Sequence, residues 1–248
     1  MPSPLAPLSR AVGSLLDRSR RHFEAVRPRS GAVAAGLVLL VTVSTVVGIV
    51  ALGATFDATI DREVTVDNPD RPPESTCEAF GDDDSVFAEQ CDRPERIDVD
   101  VGEELRDATG DYVAYAAFGV PIWWGIFALV LHGAARLAGG SGSLGDSLVI
   151  AAWAIVPEIL RLTAGLAAIW RALATTTVDG ATIEAIANEV VTAIGTMRIP
   201  LLAASAVVIA VQWVIVTGGL EATHDLDRGT AGTVAGVLAA LGFLLAAV

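Results

Sequence analysis

Residues 31–53 read GAVAAGLVLLVTVSTVVGIVALG, twenty-three positions without a charge. A bilayer core of about 30 Å takes roughly 20 apolar residues of helix to cross. Lipid offers the backbone no hydrogen-bond partner, so a run of this kind has to be helical. Four more runs of similar length follow, at 113–137, 148–170, 199–220 and 229–248. A transmembrane β-barrel would show short alternating segments instead. The fold class read from the sequence is therefore all-α, a polytopic membrane bundle of five transmembrane helices. The first run is read as retained: its polar lead is 30 residues long, whereas a cleaved signal peptide has a short lead and an apolar core of roughly 7–15 residues.

Composition agrees once the charge is located. Of 248 residues, 53% are hydrophobic and 18% charged, with a mean hydropathy of +0.58. A soluble domain carries roughly 25% charged residues, so an ordinary soluble enzyme is excluded. The net charge of −13 also excludes a nucleic-acid binder, which needs a basic footprint. Residues 54–111 hold nineteen acids and five arginines, a net −14 that accounts for the whole acidic excess. All 16 basic residues are arginine. A lysine-free, aspartate-rich chain suits very salty surroundings, where screening makes the acidity tolerable, and the expected source is an extreme halophile.

Arginine placement orients the spans. Residues 1–30 carry Arg10, Arg18, Arg20, Arg21, Arg27 and Arg29 and should stay in the cytoplasm. Five crossings of a cell membrane then put the acidic block at 54–111 outside, and the C-terminus outside. Arg136 and Arg228 fall on cytoplasmic turns, while Arg171 and Arg198 fall outside, against the trend. Before the first span, Val12, Leu15, Leu16, Ser19, Phe23 and Val26 share a helical face among arginines, the pattern of a helix lying on the inner membrane surface.

The two cysteines, Cys77 and Cys91, both lie in the acidic block. Oxidised pairs persist outside the cytoplasm, so a disulfide is expected. A zinc site is not, because no histidine or third cysteine accompanies them. Asp82, Asp83 and Asp84 form the densest carboxylate run, but EF-hand spacing is absent and the run reads as solvated acidic surface. Polar and apolar residues alternate at 60–66 and 97–101, which predicts a small β-hairpin.

Few motifs carry chemistry. Gly140 to Gly145 spell G-x-G-x-x-G, but no βαβ unit surrounds them and the stretch reads as a tight turn between helices. Glu158 and Arg161 sit three apart on one face of the third span, just after Pro157. Charges at membrane depth cost at least about 2.5–3.5 kcal/mol and mark function or pair with each other. Both readings stand, an ion or proton pathway and a structural pair. Glu221, His224 and Asp225 form an apparent triplet of the sort short turns carry without a role, and Gly232 and Gly236 begin a small-residue stripe suited to close helix packing. No nucleophile–base set is evident; no catalytic, cofactor-binding or metal site is assigned.

The stretch LHGAARLAGGSGSL at 131–144, continued by SLVIAAWAIVP at 147–157, resembles the prokaryotic branch of the Yip1 domain family. The likeness is a helix ending in a basic residue, then a turn bearing Gly139, Gly140, Gly142 and Ser143, then an apolar helix with Pro157. It implies a Yip1-like four-helix membrane region over 112–248, with no catalytic site and no cofactor. Eukaryotic members bind Rab-type GTPases in vesicle trafficking, but their D-L-Y-G-P signature is absent and that partner is not carried over. The large acidic loop departs from the compact family pattern and reads as an insertion. The resemblance implies a scaffold or membrane-organising role, partnered by the bilayer and by other membrane proteins, self-association included. The alternative is a transporter or permease component using Glu158 and Arg161.

Overall fold

A computed structural model describes residues 6–26, 30–80, 86–176, 180 and 182–247. Asp82, Asp83, Asp84, Arg27 and Arg29 lie outside the described residues. The elements run α1 (Ala6–Val26), α2 (Ser30–Thr59), β1 (Glu63–Asp67), α3 (Glu74–Phe80), α4 (Val86–Cys91), β2 (Arg96–Asp100), α5 (Val101–Gly110), α6 (Tyr112–Leu137), α7 (Leu144–Ile155), α8 (Glu158–Thr175), α9 (Ile183–Gly195), α10 (Arg198–Thr223) and α11 (Arg228–Ala247).

Among the described residues, four helical stretches are long and apolar enough to cross a membrane: Gly31–Thr59, Val101–Leu137, Leu144–Thr175 and Arg198–Thr223. The sequence reading counted five. The apolar part of α11, Arg228–Leu244, falls short of the others; its seventeen residues rise about 26 Å at 1.5 Å each. The long helices stack into a bundle. The α7–α8 pair lies between α2 and α10, with α6 against α2 and α11 against α10. Leu131, Ile150, Ile155, Val216 and Leu220 fill its centre, while Leu39, Val47, Phe118, Leu129 and Val207 face outward. Apolar side chains on both the inside and the outside are what a bilayer solvent permits.

The third span is not one helix. Proline lacks the backbone N–H and crowds the preceding turn, so α7 stops at Ile155 and α8 restarts at Glu158 after Pro157. Tighter i to i+3 bonds carry the chain across, from the Ile159 N–H to the Val156 carbonyl and from the Leu160 N–H to the Pro157 carbonyl.

At one end of the bundle β1 and β2 pair antiparallel, Val64 opposite Val99 and Val66 opposite Ile97. This is the hairpin expected from the alternation. The carboxylate of Asp100 accepts from the Gly102 and Glu103 N–H groups and starts α5. Cys77 in α3 and Cys91 at the end of α4 are joined, their sulfurs 2.10 Å apart.

Residues 171–198, between the runs at 148–170 and 199–220, contain α9. Its buried Ile186 and Val190 pack with Ile60, Val64, Val101 and Leu173 into a second apolar cluster. Burying one such side chain away from water contributes about 1.5–3 kcal/mol, so the hairpin is held by its own small core.

Candidate functional site

The opposite end of the bundle brings together α1, the α6–α7 turn and the α10–α11 turn. The chain leaves α6 through Gly139, whose φ of +87° lies in the left-handed region that favours glycine. The Gly140 N–H donates back to the Ala135 carbonyl at 2.8 Å, and the Arg136 guanidinium reaches the Gly140 carbonyl at 3.4 Å. Ser143 then caps α7: its hydroxyl accepts from the Asp146 N–H while the Asp146 carboxylate accepts from the Ser143 N–H, a reciprocal capping box.

The turn lies against His224, which is fully buried. The Ser141 N–H donates to the His224 carbonyl at 2.9 Å, and the Ser141 hydroxyl donates to the Asp225 carboxylate. A Cβ on Gly142 would stand 2.5 Å from two carbons of the imidazole. Only glycine fits so near the ring.

The hydrogen-bond network assigns the imidazole's proton. The Thr223 hydroxyl donates to the Gly219 carbonyl at 2.9 Å, so its oxygen accepts from His224 Nδ1–H at 2.8 Å. Nε2 is then bare and accepts from the Ser147 hydroxyl at 2.9 Å. Ser147 is itself fully buried, and its oxygen lies 3.4 Å from His132 Nδ1. Burial pushes the His224 imidazole below its ordinary range. Asp146 and Asp225 oppose that shift, while His132 and Arg136 reinforce it.

Helix α1 docks beside this turn. Leu16 and Phe23 are buried, His22 meets Trp153 edge-on at 4.5 Å, and Ser19 packs on Gly218. Arg228 joins three elements, donating to Asp17 of α1 at 2.6 Å and to Glu221 of α10 at 2.7 Å. These bonds hold its guanidinium protonated beyond the usual range and hold the Asp17 carboxyl below its own. The Glu221, His224 and Asp225 triplet is thus divided among Arg228, Ser147 and Ser141. Among the described residues no group of three or more potential ligands could hold a metal ion.

Deeper in the bundle, Arg161 Nη2 lies 2.6 Å from Glu158 Oε2, and Gln212 of α10 donates to Glu158 Oε1 at 2.8 Å. The side chains of Arg161 and Glu158 are 41% and 28% exposed. Gly232 and Gly236 receive the Trp213 ring, whose N–H donates to the Gly232 carbonyl at 2.9 Å.

Sequence reasoning missed two of these partners. Ser147 is 77 residues from His224, and Gln212 is 54 from Glu158. The available signal was a polar residue in an otherwise apolar run.

The family model described as the Yip1 domain matches residues 13–248. The chain belongs to the Yip1 domain family. No curated protein and no solved structure matches it. The Yip1 match begins within α1 and takes in the disulfide-bearing polar unit as well as the helices. The glycine turn that carried the Yip1 resemblance is, in this chain, the piece that closes over His224.

Proposed function

We propose that this Yip1 domain protein is a non-enzymatic membrane scaffold. On this reading it crosses the cell membrane five times, with α11 as the last crossing, the N-terminus in the cytoplasm and the C-terminus outside. The observation that carries the reading is the packing. The bundle is filled by apolar side chains, and the buried Ser147–His224 pair is sealed under the glycine turn. A cleft of about 480 Å³ at the hairpin end is lined by Ile49, Val50, Gly53, Arg106, Asp107 and Asp111. Orientation is supported by Arg136 and Arg228 lying at the same end as the basic α1.

Crosslinking in intact cells is expected to recover defined membrane partners; a chain that stays partnerless at native expression would refute the scaffold. The net −14 of residues 54–111 supports a very salty habitat, and unfolding midpoints should rise from dilute to molar KCl. A flat salt response would remove that support. A transporter using Glu158 and Arg161 is the second reading, favoured by their depth near the middle of Leu144–Thr175. It requires Glu158→Gln to abolish a flux in reconstituted vesicles, and an unaffected flux excludes it.

A further inference from the structure

We infer that the chain pairs in the membrane with a second copy of itself across the α8–α10 face, Arg161 of each copy donating to Glu158 of the other. The inference rests on the scaffold reading and names its first partner. Glu158 and Arg161 lie near the middle of Leu144–Thr175, and Gln212 lies near the middle of Arg198–Thr223. Three polar side chains from two helices therefore share one depth, close to the bilayer midplane.

Water cannot serve this group at that depth. Arginine presents five N–H donors; among the described residues Arg161 bonds to Glu158, and 41% of its side chain remains uncovered. Hydrocarbon accepts none of the remaining donors. Nor does the side chain escape to the interface. Trp170, where the apolar run at 148–170 ends, is nine residues on, about 14 Å of helix rise, and the bond to Glu158 points the guanidinium back toward the midplane.

The chemistry of the face selects its occupant. Glu158 and Arg161 together carry no net charge. A two-fold axis along the membrane normal brings equal depths of two copies together. Because Arg161 reaches back to Glu158, its guanidinium and the carboxylate already share a depth. The axis then sets each guanidinium opposite the other copy's carboxylate, with no charge left over. Glu158 can accept, since each oxygen has a second lone pair beside those used by Arg161 and Gln212. The surrounding surface suits close approach: Leu160, Thr163, Ala167 and Trp170 are exposed at helical spacing along α8, and a Cβ on Gly165 would meet nothing within 4 Å. A different protein would have to supply a matched pair of opposite charges at the same depth.

The test uses the full chain in lipid bilayers. Its natural cysteines are bonded to each other, so a cysteine introduced at Leu160 reports alone. Oxidation should give a covalent dimer for Leu160→Cys and none for Leu129→Cys, on the exposed face of α6. In a fluorescence-transfer dilution series, Glu158→Arg and Arg161→Glu should each weaken pairing on the order of tenfold, and the two combined should restore it. If a charge reversal fails to fold, the double change Glu158→Met with Arg161→Met leaves no buried charge and should still weaken pairing. Equal crosslinking at Leu160→Cys and Leu129→Cys, or a Met–Met variant that pairs as tightly as the native chain, overturns the inference. Crosslinking of Leu160→Cys to a different protein overturns it while sparing the scaffold; a chain with no partner of any kind overturns both.

Discussion

Gly142→Ala tests the joint between the glycine turn and His224. The added methyl would lie 2.5 Å from Cγ and Cδ2 of the imidazole and 2.7 Å from Nδ1. Cγ is the base of the ring, so it clears the methyl only if χ1 turns the whole buried ring out of its hydrogen bonds or the backbone shifts. That backbone is tied to the turn by the Ser141 N–H bond to the His224 carbonyl, and the ring is tied by Ser147 and Thr223. Overpacking of this kind costs about 1–3 kcal/mol. Gly133→Ala is the control: it lies within α6, where a Cβ meets nothing within 4 Å, and alanine there should stabilise by about 0.5–1 kcal/mol. The two variants should therefore differ by about 1.5–4 kcal/mol in reversible SDS or thermal unfolding in one detergent. His224→Ala should relieve the clash, so the double variant with Gly142→Ala should be less destabilised than the sum of the singles by about 1 kcal/mol. Equal stabilities for Gly142→Ala and Gly133→Ala, or strict additivity in the cycle, would refute the close approach.

Three other outcomes are expected. Replacing Cys77 and Cys91 by Ser opens a closure of 14 residues, should cost about 3 kcal/mol, and should speed proteolysis of the hairpin unit without cutting the bundle; a membrane-impermeant thiol reagent applied outside should label the native pair only after reduction. Arg228→Met leaves Glu221, whose side chain is 5% exposed, without that bond. It should destabilise by about 1–3 kcal/mol and raise hydrogen exchange along α1, and unchanged exchange there would contradict the three-element link. The lowered pKa of His224 means the unfolded chain takes up that proton first as pH falls. Its contribution is full above about pH 6.5 and is lost as pH drops toward the folded value, so stability should decline from pH 7.5 to 5 and His224→Gln should flatten the slope.

Much of the fold was legible because hydropathy is a local sum. Residues 31–53 cannot be anything but a buried or lipid-bound helix, and the alternation at 60–66 and 97–101 leads directly to β1 and β2. Pro157 marked the break between α7 and α8 for a purely local reason, its missing N–H. Helix α9 was harder to see. Ile186 and Val190 are apolar at helical spacing, but polar neighbours dilute the window, and burial against Val64 and Leu173 becomes visible only with the hairpin in place. Of the two polar groupings, Glu158 with Arg161 was evident at a spacing of three, whereas His224 read as an idle turn residue because Ser147 is far away in the chain.

The sequence by itself determined the class of solvent, the polarity of each segment, the cysteine pair's place in the acidic block and the glycine turn that carries the Yip1 resemblance. Those follow from composition over short windows and from single-residue backbone preferences. Tertiary structure decided that Gln212 completes the Glu158 group, that Ser147 and Thr223 set the proton on His224, and that Arg228 ties α1 to α10. These depend on the rotation and depth at which one helix lies against another. Side-chain packing sets both quantities across the whole bundle, and no local stretch of sequence contains them.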